Sequence, residues 1–166
     1  MKKSLLLELL KVQTQTTKKS TRKDIVSFVR DMVEYHIKDN ADINGISPAR
    51  TGGVNLGEVM EVVAKATYNN PLAKAQSNAL YDLNANGERV EVKFSSSDAY
   101  AHPINPNERV DWYMIITYTK GDGLQVFKVP YAKRNEIRTN AQGRVITNQL
   151  AKFYDRQLTE RLTPRG

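Results

Sequence analysis

Charged and apolar side chains alternate along the segment Arg89-Val-Glu-Val-Lys-Phe94, a pattern typical of a β-strand. Successive side chains of a strand point to opposite faces, so Glu91 and Lys93 share one face while the valines and Phe94 share the other. A carboxylate and an ammonium group therefore point into the same space. Such a pair can help to hold a cation and to offset negative charge that develops on a reacting phosphate. The alternative is a solvent-facing strand with ordinary cross-strand charges.

A predicted hairpin brings a second carboxylate within reach. The sequence Asn84-Ala85-Asn86-Gly87 predicts a turn that joins this strand to a preceding strand over Leu80 to Leu83. A loop made of all four residues pairs Asp82 with Arg89 and places Asp82 on the same face as Glu91, one diagonal step away. A shift of one residue in this register would turn Asp82 away, so the prediction depends on the turn.

Two converging carboxylates, from Asp82 and Glu91, suit Mg²⁺, because that ion takes one or two carboxylates together with waters and phosphate oxygens. A bound ion would polarise a phosphate and activate water. Lys93 would orient that water or offset the developing charge. Upstream, Glu58 and Glu61 are three residues apart and so place two further carboxylates on one face of a predicted helix.

The composition favours oxygen ligands for any metal. The chain has 166 residues, with 25 Lys and Arg, 18 Asp and Glu and a net charge of +7. It contains no cysteine, which excludes disulfides, thiolate metal sites and cysteine nucleophiles. With two histidines, His36 and His102, the candidate ligands are mainly carboxylates, which favour hard cations. His36 falls beside an apolar helix stripe, and we expect it to be structural.

The charge is distributed unevenly along the chain. Residues 1–23 carry +6, residues 24–127 carry −5 and residues 128–166 carry +6. Basic ends around an acidic centre suggest a polyanion partner held beside a carboxylate-bearing site. Charge that serves only solubility is the alternative interpretation.

The hydrophobic pattern predicts a mixed fold, α/β or α+β, in which helices flank a small mixed sheet. The predicted elements are helices over Ser4 to Lys11, from Thr21 to Ile37 and over Leu56 to Tyr68, strands over Leu80 to Leu83, Arg89 to Phe94, Trp112 to Tyr118 and Leu124 to Val129, and a closing helix over Asn148 to Arg161. The nearly continuous apolar run from Trp112 is expected at the centre of the sheet. No segment resembles a membrane span or a cleaved signal peptide, so we expect a cytoplasmic protein with no membrane partner.

The order of these features resembles that of the PD-(D/E)XK nuclease superfamily. A helix acid comes first, followed by a hairpin with an aspartate on one strand and Glu-x-Lys on the next. That superfamily includes restriction endonucleases, Holliday-junction resolvases and some homing endonucleases. The resemblance covers roughly Leu56 to Val129 and implies a restriction-endonuclease-like αβββ core. It implies that Asp82 is the motif aspartate, Glu91 the second metal-binding carboxylate and Lys93 the motif lysine. Tyr81 stands where the superfamily name has proline, a position that varies among its members.

The resemblance further implies that Glu61 is the metal-binding acid of the first core helix, with Glu58 as the alternative. The implied activity is Mg²⁺-dependent hydrolysis of phosphodiester bonds in double-stranded DNA, with Mn²⁺ as a substitute metal. Three alternatives stay open. In these alternatives the chain is a non-catalytic DNA-binding protein, a structure-specific nuclease for branched DNA, or an RNA-directed nuclease or binder.

We expect a single nuclease domain over residues 1–166, with N-terminal helices at 1–38, the catalytic core at 56–129 and a basic C-terminal segment at 130–166. One site per domain implies two protomers, or two sequential nicks, for a double-strand break. We therefore expect a homodimer. The segment Leu5 to Leu10 is a candidate dimer contact, and packing on the protein's own core is the alternative.

The candidate DNA contacts are basic side chains outside the acidic centre and polar groups in two long loops, at residues 39–55 and 95–109. They are Lys18, Lys19, Arg22, Lys23, Arg50, Ser95, Ser96, Ser97, Lys133, Arg134, Arg138 and Arg144. For the serine-rich loop, the alternative is a solvated surface segment.

Overall fold

The protein has a mixed α+β fold with a four-stranded mixed sheet. The structure is a computed structural model that describes residues 1–16, 20–46, 48–49, 53–72, 81–95, 99–100, 110–137 and 145–165. The chain divides into two compact units, Met1–Gln76 with Leu162–Gly166, and Ser77–Arg161. The first unit is mainly helical, and the second contains the four-stranded sheet.

The predicted helices and strands occur in the predicted order with different bounds, and the structure adds two 3₁₀-helices and four short strands. The α-helices are α1 (Lys3–Thr16), α2 (Ser20–His36), α3 (Leu56–Thr67) and α4 (Arg156–Leu162), and two 3₁₀-helices span Tyr131–Glu136 and Thr147–Phe153. The strands are β1 (Pro48–Ala49), β2 (Gly53–Val54), β3 (Leu83–Ala85), β4 (Glu88–Ser95), β5 (Ala99–Tyr100), β6 (Trp112–Thr119), β7 (Gly123–Pro130) and β8 (Val145–Ile146). Within the described residues, no helix is long and apolar enough to cross a membrane.

In the first unit, α1 packs on α2 and α2 packs on α3. The apolar stripe predicted for α2 is buried at Ile25, Val29, Met32, Val33 and Ile37 and half-buried at Phe28. Helix α3 begins at Leu56 because Asn55 caps it, its Oδ1 accepting hydrogen bonds from the backbone N–H groups of Gly57 and Glu58 at 3.0 and 3.3 Å.

His36 is a structural histidine in this unit. Its Nε2 lies 2.6 Å from the carbonyl oxygen of Leu162, and the carbonyl accepts the hydrogen bond from the ring N–H. Burial lowers the pKa of His36 below its ordinary value, and the bond to Leu162 opposes this shift in part.

In the second unit, the sheet has the strand order β3-β4-β6-β7. Strands β4 and β6 are parallel, whereas the β3–β4 and β6–β7 pairs are antiparallel. The side chains from Trp112 to Thr117 are all buried, which confirms the prediction that β6 lies inside the sheet.

The predicted register of the hairpin is wrong by two residues. Leu83 pairs with Val90 and Ala85 with Glu88, so the loop contains two residues, Asn86 and Gly87. Both adopt positive φ, 53° and 97°, as a two-residue turn of the type favoured by Asn-Gly requires. The twist of that turn matches the twist of the strands better than a four-residue loop, which explains the shorter connection.

Two further predicted elements differ from the structure. The strand expected over Leu80 to Leu83 begins at Leu83 and continues into the predicted turn. The closing helix expected over Asn148 to Arg161 is instead a 3₁₀-helix followed by α4. The break occurs at Tyr154, which forms a β-bridge with Phe127 of β7, and at Asp155, which caps α4 by accepting the backbone N–H of Leu158 at 2.9 Å.

One face of the sheet carries an apolar core of the second unit. This core consists of Val110, Tyr113, Ile115, Phe127, Val129, Ile137, Leu150 and Phe153, with Tyr81 and Tyr131 packed against it. Glu91 lies opposite Tyr113, and Lys93 opposite Ile115, in the parallel β4–β6 ladder. Partners in a ladder share a face, so the two charged residues of β4 border the apolar core.

Candidate functional site

Asp82 is bound to strand β4 on both sides of Glu91. Its backbone N–H donates to the carbonyl oxygen of Val90 at 2.9 Å, and its carboxylate Oδ2 accepts the backbone N–H of Val92 at 2.8 Å. The side chain of Asp82 thus continues the hydrogen-bond ladder beyond the end of β3. Because the peptide that it contacts joins Glu91 to Val92, the carboxylate of Asp82 is fixed beside the backbone of Glu91.

Asp82 keeps one carboxylate oxygen available. Oδ2 is engaged by Val92, whereas Oδ1 accepts no hydrogen bond from the part of the chain that the structure describes. The residue as a whole is half-buried. Although the hairpin register differs from the prediction, the shift of two residues preserves the alternation of faces, and the structure brings Asp82 next to Glu91.

Glu91 and Lys93 form an ion pair on one face of β4. Their Oε1 and Nζ atoms lie 3.9 Å apart, with the Glu91 side chain 19% exposed and the Lys93 side chain 9% exposed. This contact confirms that the two side chains share a face. The low exposure of both groups strengthens their electrostatic interaction, since water screens a half-buried pair less than a surface pair.

Ser95 continues this polar row along β4. It is buried and lies opposite Thr117, which is also buried, in the β4–β6 ladder. The expectation that Ser95 contacts DNA stays a prediction, and its burial leaves little of the residue exposed to a partner.

The candidate helix acids lie on α3, in the first unit. Glu61 is buried, and its Oε1 lies 3.4 Å from Nζ of Lys65, one helical turn further along, whose side chain is 4% exposed. Glu58 is half-buried in the first turn of the helix. A buried pair of this kind requires both charges, because removal of one leaves the other desolvated without compensation.

Some of the predicted DNA contacts are described by the structure. Lys23 and Lys133 are exposed, as a phosphate contact requires. Arg134 is less accessible: its guanidinium carbon lies 3.9 Å from the centroid of the Tyr131 ring, and Nη1 donates to the Tyr131 carbonyl at 2.9 Å. The candidates outside the described residues, or with side chains outside them, are Lys18, Lys19, Arg22, Arg50, Ser96, Ser97, Arg138 and Arg144.

Asp111 supports the site and was not singled out from the sequence. Its Oδ2 accepts the backbone N–H of Arg89 at 2.7 Å, and its carboxylate also contacts the Arg89 guanidinium at 3.3 Å. The hydrogen bonds from Arg89 lower the pKa of Asp111. This pair fixes the start of β6 beside β4. In the sequence, Asp111 is only an acidic residue before a strand. Its contact with Arg89 can be inferred only once the parallel β4–β6 register is known.

The residues present fit a hard divalent cation bound through two carboxylates. Asp82 and Glu91 supply carboxylate oxygens from neighbouring positions of the hairpin, and Mg²⁺ commonly takes one or two protein carboxylates and completes its shell with water and phosphate oxygens. Within the described ranges, no group of three or more His, Asp or Glu side chains is arranged to hold a metal. A cation held by these two carboxylates would take its remaining ligands from water and from substrate oxygens.

Comparison with protein-family models, with curated proteins and with solved structures found no match.

Proposed function

We propose that the chain is a Mg²⁺-dependent endonuclease that hydrolyses phosphodiester bonds of double-stranded DNA in the manner of restriction and homing endonucleases, with residues 56–129 as a PD-(D/E)XK-type core. One observation carries this proposal. The Asp82 carboxylate is fixed at 2.8 Å on the backbone of Val92, beside the half-buried pair of Glu91 and Lys93. Fixed carboxylates beside a poorly solvated cation are the groups that this chemistry needs.

Each residue of this cluster has a role that follows from its surroundings. Oδ1 of Asp82 and the carboxylate of Glu91 would hold Mg²⁺, which when bound supplies positive charge to the scissile phosphate and lowers the pKa of a coordinated water. Nζ of Lys93 would donate a hydrogen bond either to a phosphate oxygen or to the attacking water. The 2.8 Å bond to Val92 fixes the orientation of Asp82 before substrate binds, so little reorganisation is needed.

We propose that both units belong to one nuclease domain, with Glu61 as the helix acid and Lys23 and Lys133 among the contacts to the DNA backbone. The polar groups that read bases would come from the long loops. Mn²⁺ would substitute for Mg²⁺ because it accepts the same oxygen ligands.

A second candidate, a non-catalytic DNA-binding protein, is favoured by a specific observation. Three candidate metal ligands already have a protein partner: Glu91 contacts Lys93, Glu61 contacts Lys65, and Asp82 binds the backbone of Val92. In this alternative the cluster stabilises the hairpin, and the basic side chains alone account for DNA binding.

The two candidates are separated by incubating supercoiled plasmid with the protein and Mg²⁺. We expect nicked or linear product from the wild type and a loss of about 100-fold or more in rate for Asp82→Asn and for Glu91→Gln. Asparagine retains the oxygen that accepts the Val92 N–H, so the first variant removes charge and keeps the fold. The matched control is Glu88→Gln on the same strand, whose carboxylate is exposed and lies 3.9 Å from Lys128.

The control should cleave at the wild-type rate, and the inactive variants should still bind DNA in Ca²⁺. Lack of cleavage of plasmid, single-stranded and branched DNA with both Mg²⁺ and Mn²⁺, by a protein that binds DNA, would contradict the nuclease proposal and support the binding protein. Cleavage confined to branched DNA or to RNA would correct the substrate class.

A further inference from the structure

Helix α1 has two apolar faces. Leu6 and Leu10 are fully buried in the first unit, whereas Leu5, Leu9 and Val12 are 51%, 38% and 55% exposed. The exposed three follow one another at i, i+4 and i+7, which places them in one line along the helix. We call these three residues the α1 stripe. An aligned stripe of large apolar side chains on a helix surface is the usual form of a helix–helix contact.

A groove runs beside the α1 stripe, between α1 and α2. It has a volume of about 620 Å³ and is lined by Leu7, Glu8, Lys11, Val12, Arg30 and Glu34. The lining contains two acids and two bases. Within the part of the chain that the structure describes, these four charged side chains form no ion pair with one another, and the buried Nε of Arg30 has no hydrogen-bond partner.

We propose that this surface is an interface with a second copy of the chain, in which the two α1 helices pack antiparallel about a two-fold axis at Leu9. The spacing of the α1 stripe is self-complementary. Leu5 precedes Leu9 by four residues and Val12 follows it by three. With Leu9 of both copies at the axis, Leu5 of one copy therefore meets Val12 of the other within one residue, or about 1.5 Å along the helix.

The charges agree with the same arrangement. The two-fold axis is perpendicular to the plane that contains the two antiparallel helices. It therefore places the same side of the α1 stripe of both copies on one side of that plane. Glu8 and Lys11 both lie on the groove side of the α1 stripe, so Glu8 of one copy meets Lys11 of the other, and the reverse contact forms with it. Glu8 and Lys11 thus find partners of opposite sign in the second copy.

This inference concerns the first unit and does not rest on the nuclease proposal, which concerns residues of the second. The apolar area of one helix pair is small compared with a standard protein interface, so we expect a reversible dimer whose dissociation is seen on dilution. The Glu8–Lys11 pairs lie at the rim, where salt screens them, so the dimer should also weaken at high ionic strength.

Sedimentation velocity across a concentration series tests the interface. We expect the wild type to dimerise and Leu9→Glu to raise the dissociation constant at least about tenfold, which corresponds to 1.4 kcal/mol. Ser4→Glu is the matched control, because it adds the same charge to an exposed position of α1 outside the stripe. It should dimerise as the wild type does.

A charge exchange tests the register and does not depend on the apolar substitution. Glu8→Lys alone and Lys11→Glu alone should each weaken the dimer, because each places like charges opposite one another. The double variant should recover the wild-type dissociation constant. A wild type that stays monomeric at the highest soluble concentration, or a dimer unaffected by Leu9→Glu, would overturn the proposal. A double variant as weak as the single ones would overturn the antiparallel pairing.

Discussion

The carboxylate of Asp82 serves the backbone and the proposed chemistry at once. One oxygen completes the ladder between β3 and β4, and the other accepts no hydrogen bond from the described residues. The two roles make different demands on a substitution, because the ladder needs an acceptor atom and a metal needs negative charge. Asparagine satisfies the first demand alone, and alanine satisfies neither.

We therefore expect Asp82→Ala to lower the free energy of unfolding by about 1–3 kcal/mol, since it leaves the N–H of Val92 without its acceptor in a half-buried position. Asp82→Asn should change stability by less than half as much. Urea denaturation of both variants measures this difference. Equal destabilisation by both substitutions would mean that charge, and not the hydrogen bond, stabilises the hairpin.

At the scale of elements, the sequence predicted which segments are helices and strands because apolar periodicity and caps are local signals. Asn55 marks the start of α3, and the apolar run from Trp112 marks the buried strand. The hairpin was predicted in the right place with the wrong loop. Its register is set by the two-residue turn at Asn86 and Gly87, and by the side chain of Asp82 standing in for a strand residue.

The break between the last 3₁₀-helix and α4 had no local signal strong enough to predict it. It depends on a backbone bridge from Tyr154 to Phe127, which is far away in sequence. For the same reason the parallel pairing of β4 with β6, which places Tyr113 beside Glu91, could not be predicted from periodicity. Alternation alone predicted the shared face of Glu91 and Lys93, because that is a property of a single strand.

The turn offers a test of the hairpin as an element. Gly87→Ala should lower the free energy of unfolding by roughly 1–2 kcal/mol, because alanine is strained at the φ of 97° that this turn requires. Within the described residues, and apart from the adjacent residues of the chain, no atom lies within 4 Å of the added methyl group, so the cost is one of backbone conformation.

Gly121→Ala is the control, since that glycine also has open space and lacks a positive φ. Its effect should stay within about 0.5 kcal/mol in the same denaturation experiment. If both alanine variants had equal stability, the two-residue turn would not determine the hairpin.

At the scale of the whole molecule, the sequence predicted where charge accumulates but not which side chains are available to a partner. Of the basic residues singled out, Lys23 and Lys133 are exposed, whereas the guanidinium of Arg134 lies against Tyr131. Composition also does not reveal which side chains of the leucine-rich segment at the start of the chain are buried and which are exposed. Leu6 and Leu10 enter the core, whereas Leu5 and Leu9 belong to the α1 stripe.

The contact between His36 and Leu162 joins residues that are far apart in sequence, and it predicts a pH dependence of unfolding. Burial lowers the pKa of His36 in the folded state, so the unfolded chain binds a proton first as the pH falls. Stability is therefore full above the unfolded pKa of about 6.5 and is lost as the pH falls through the lower folded pKa.

We expect His36→Gln, which retains a donor for the Leu162 carbonyl, to lose less stability than the wild type between about pH 7 and pH 5. His102→Gln is the control and should behave as the wild type. Unfolding curves at several pH values, with an NMR titration of the ring protons, measure both effects. A folded pKa of His36 at or above its ordinary value would contradict the prediction.

The outer edge of strand β7 has a consequence for how copies of the chain meet at high concentration. Both backbone polar groups of Val126 are taken within the molecule: its carbonyl accepts the N–H of Asp155 at 2.9 Å, and its N–H donates to Oγ1 of Thr159 at 3.1 Å. A strand from another molecule finds no free ladder at this position. At this position the edge is thereby protected against pairing with a strand of another molecule, the contact through which a sheet grows into fibrils.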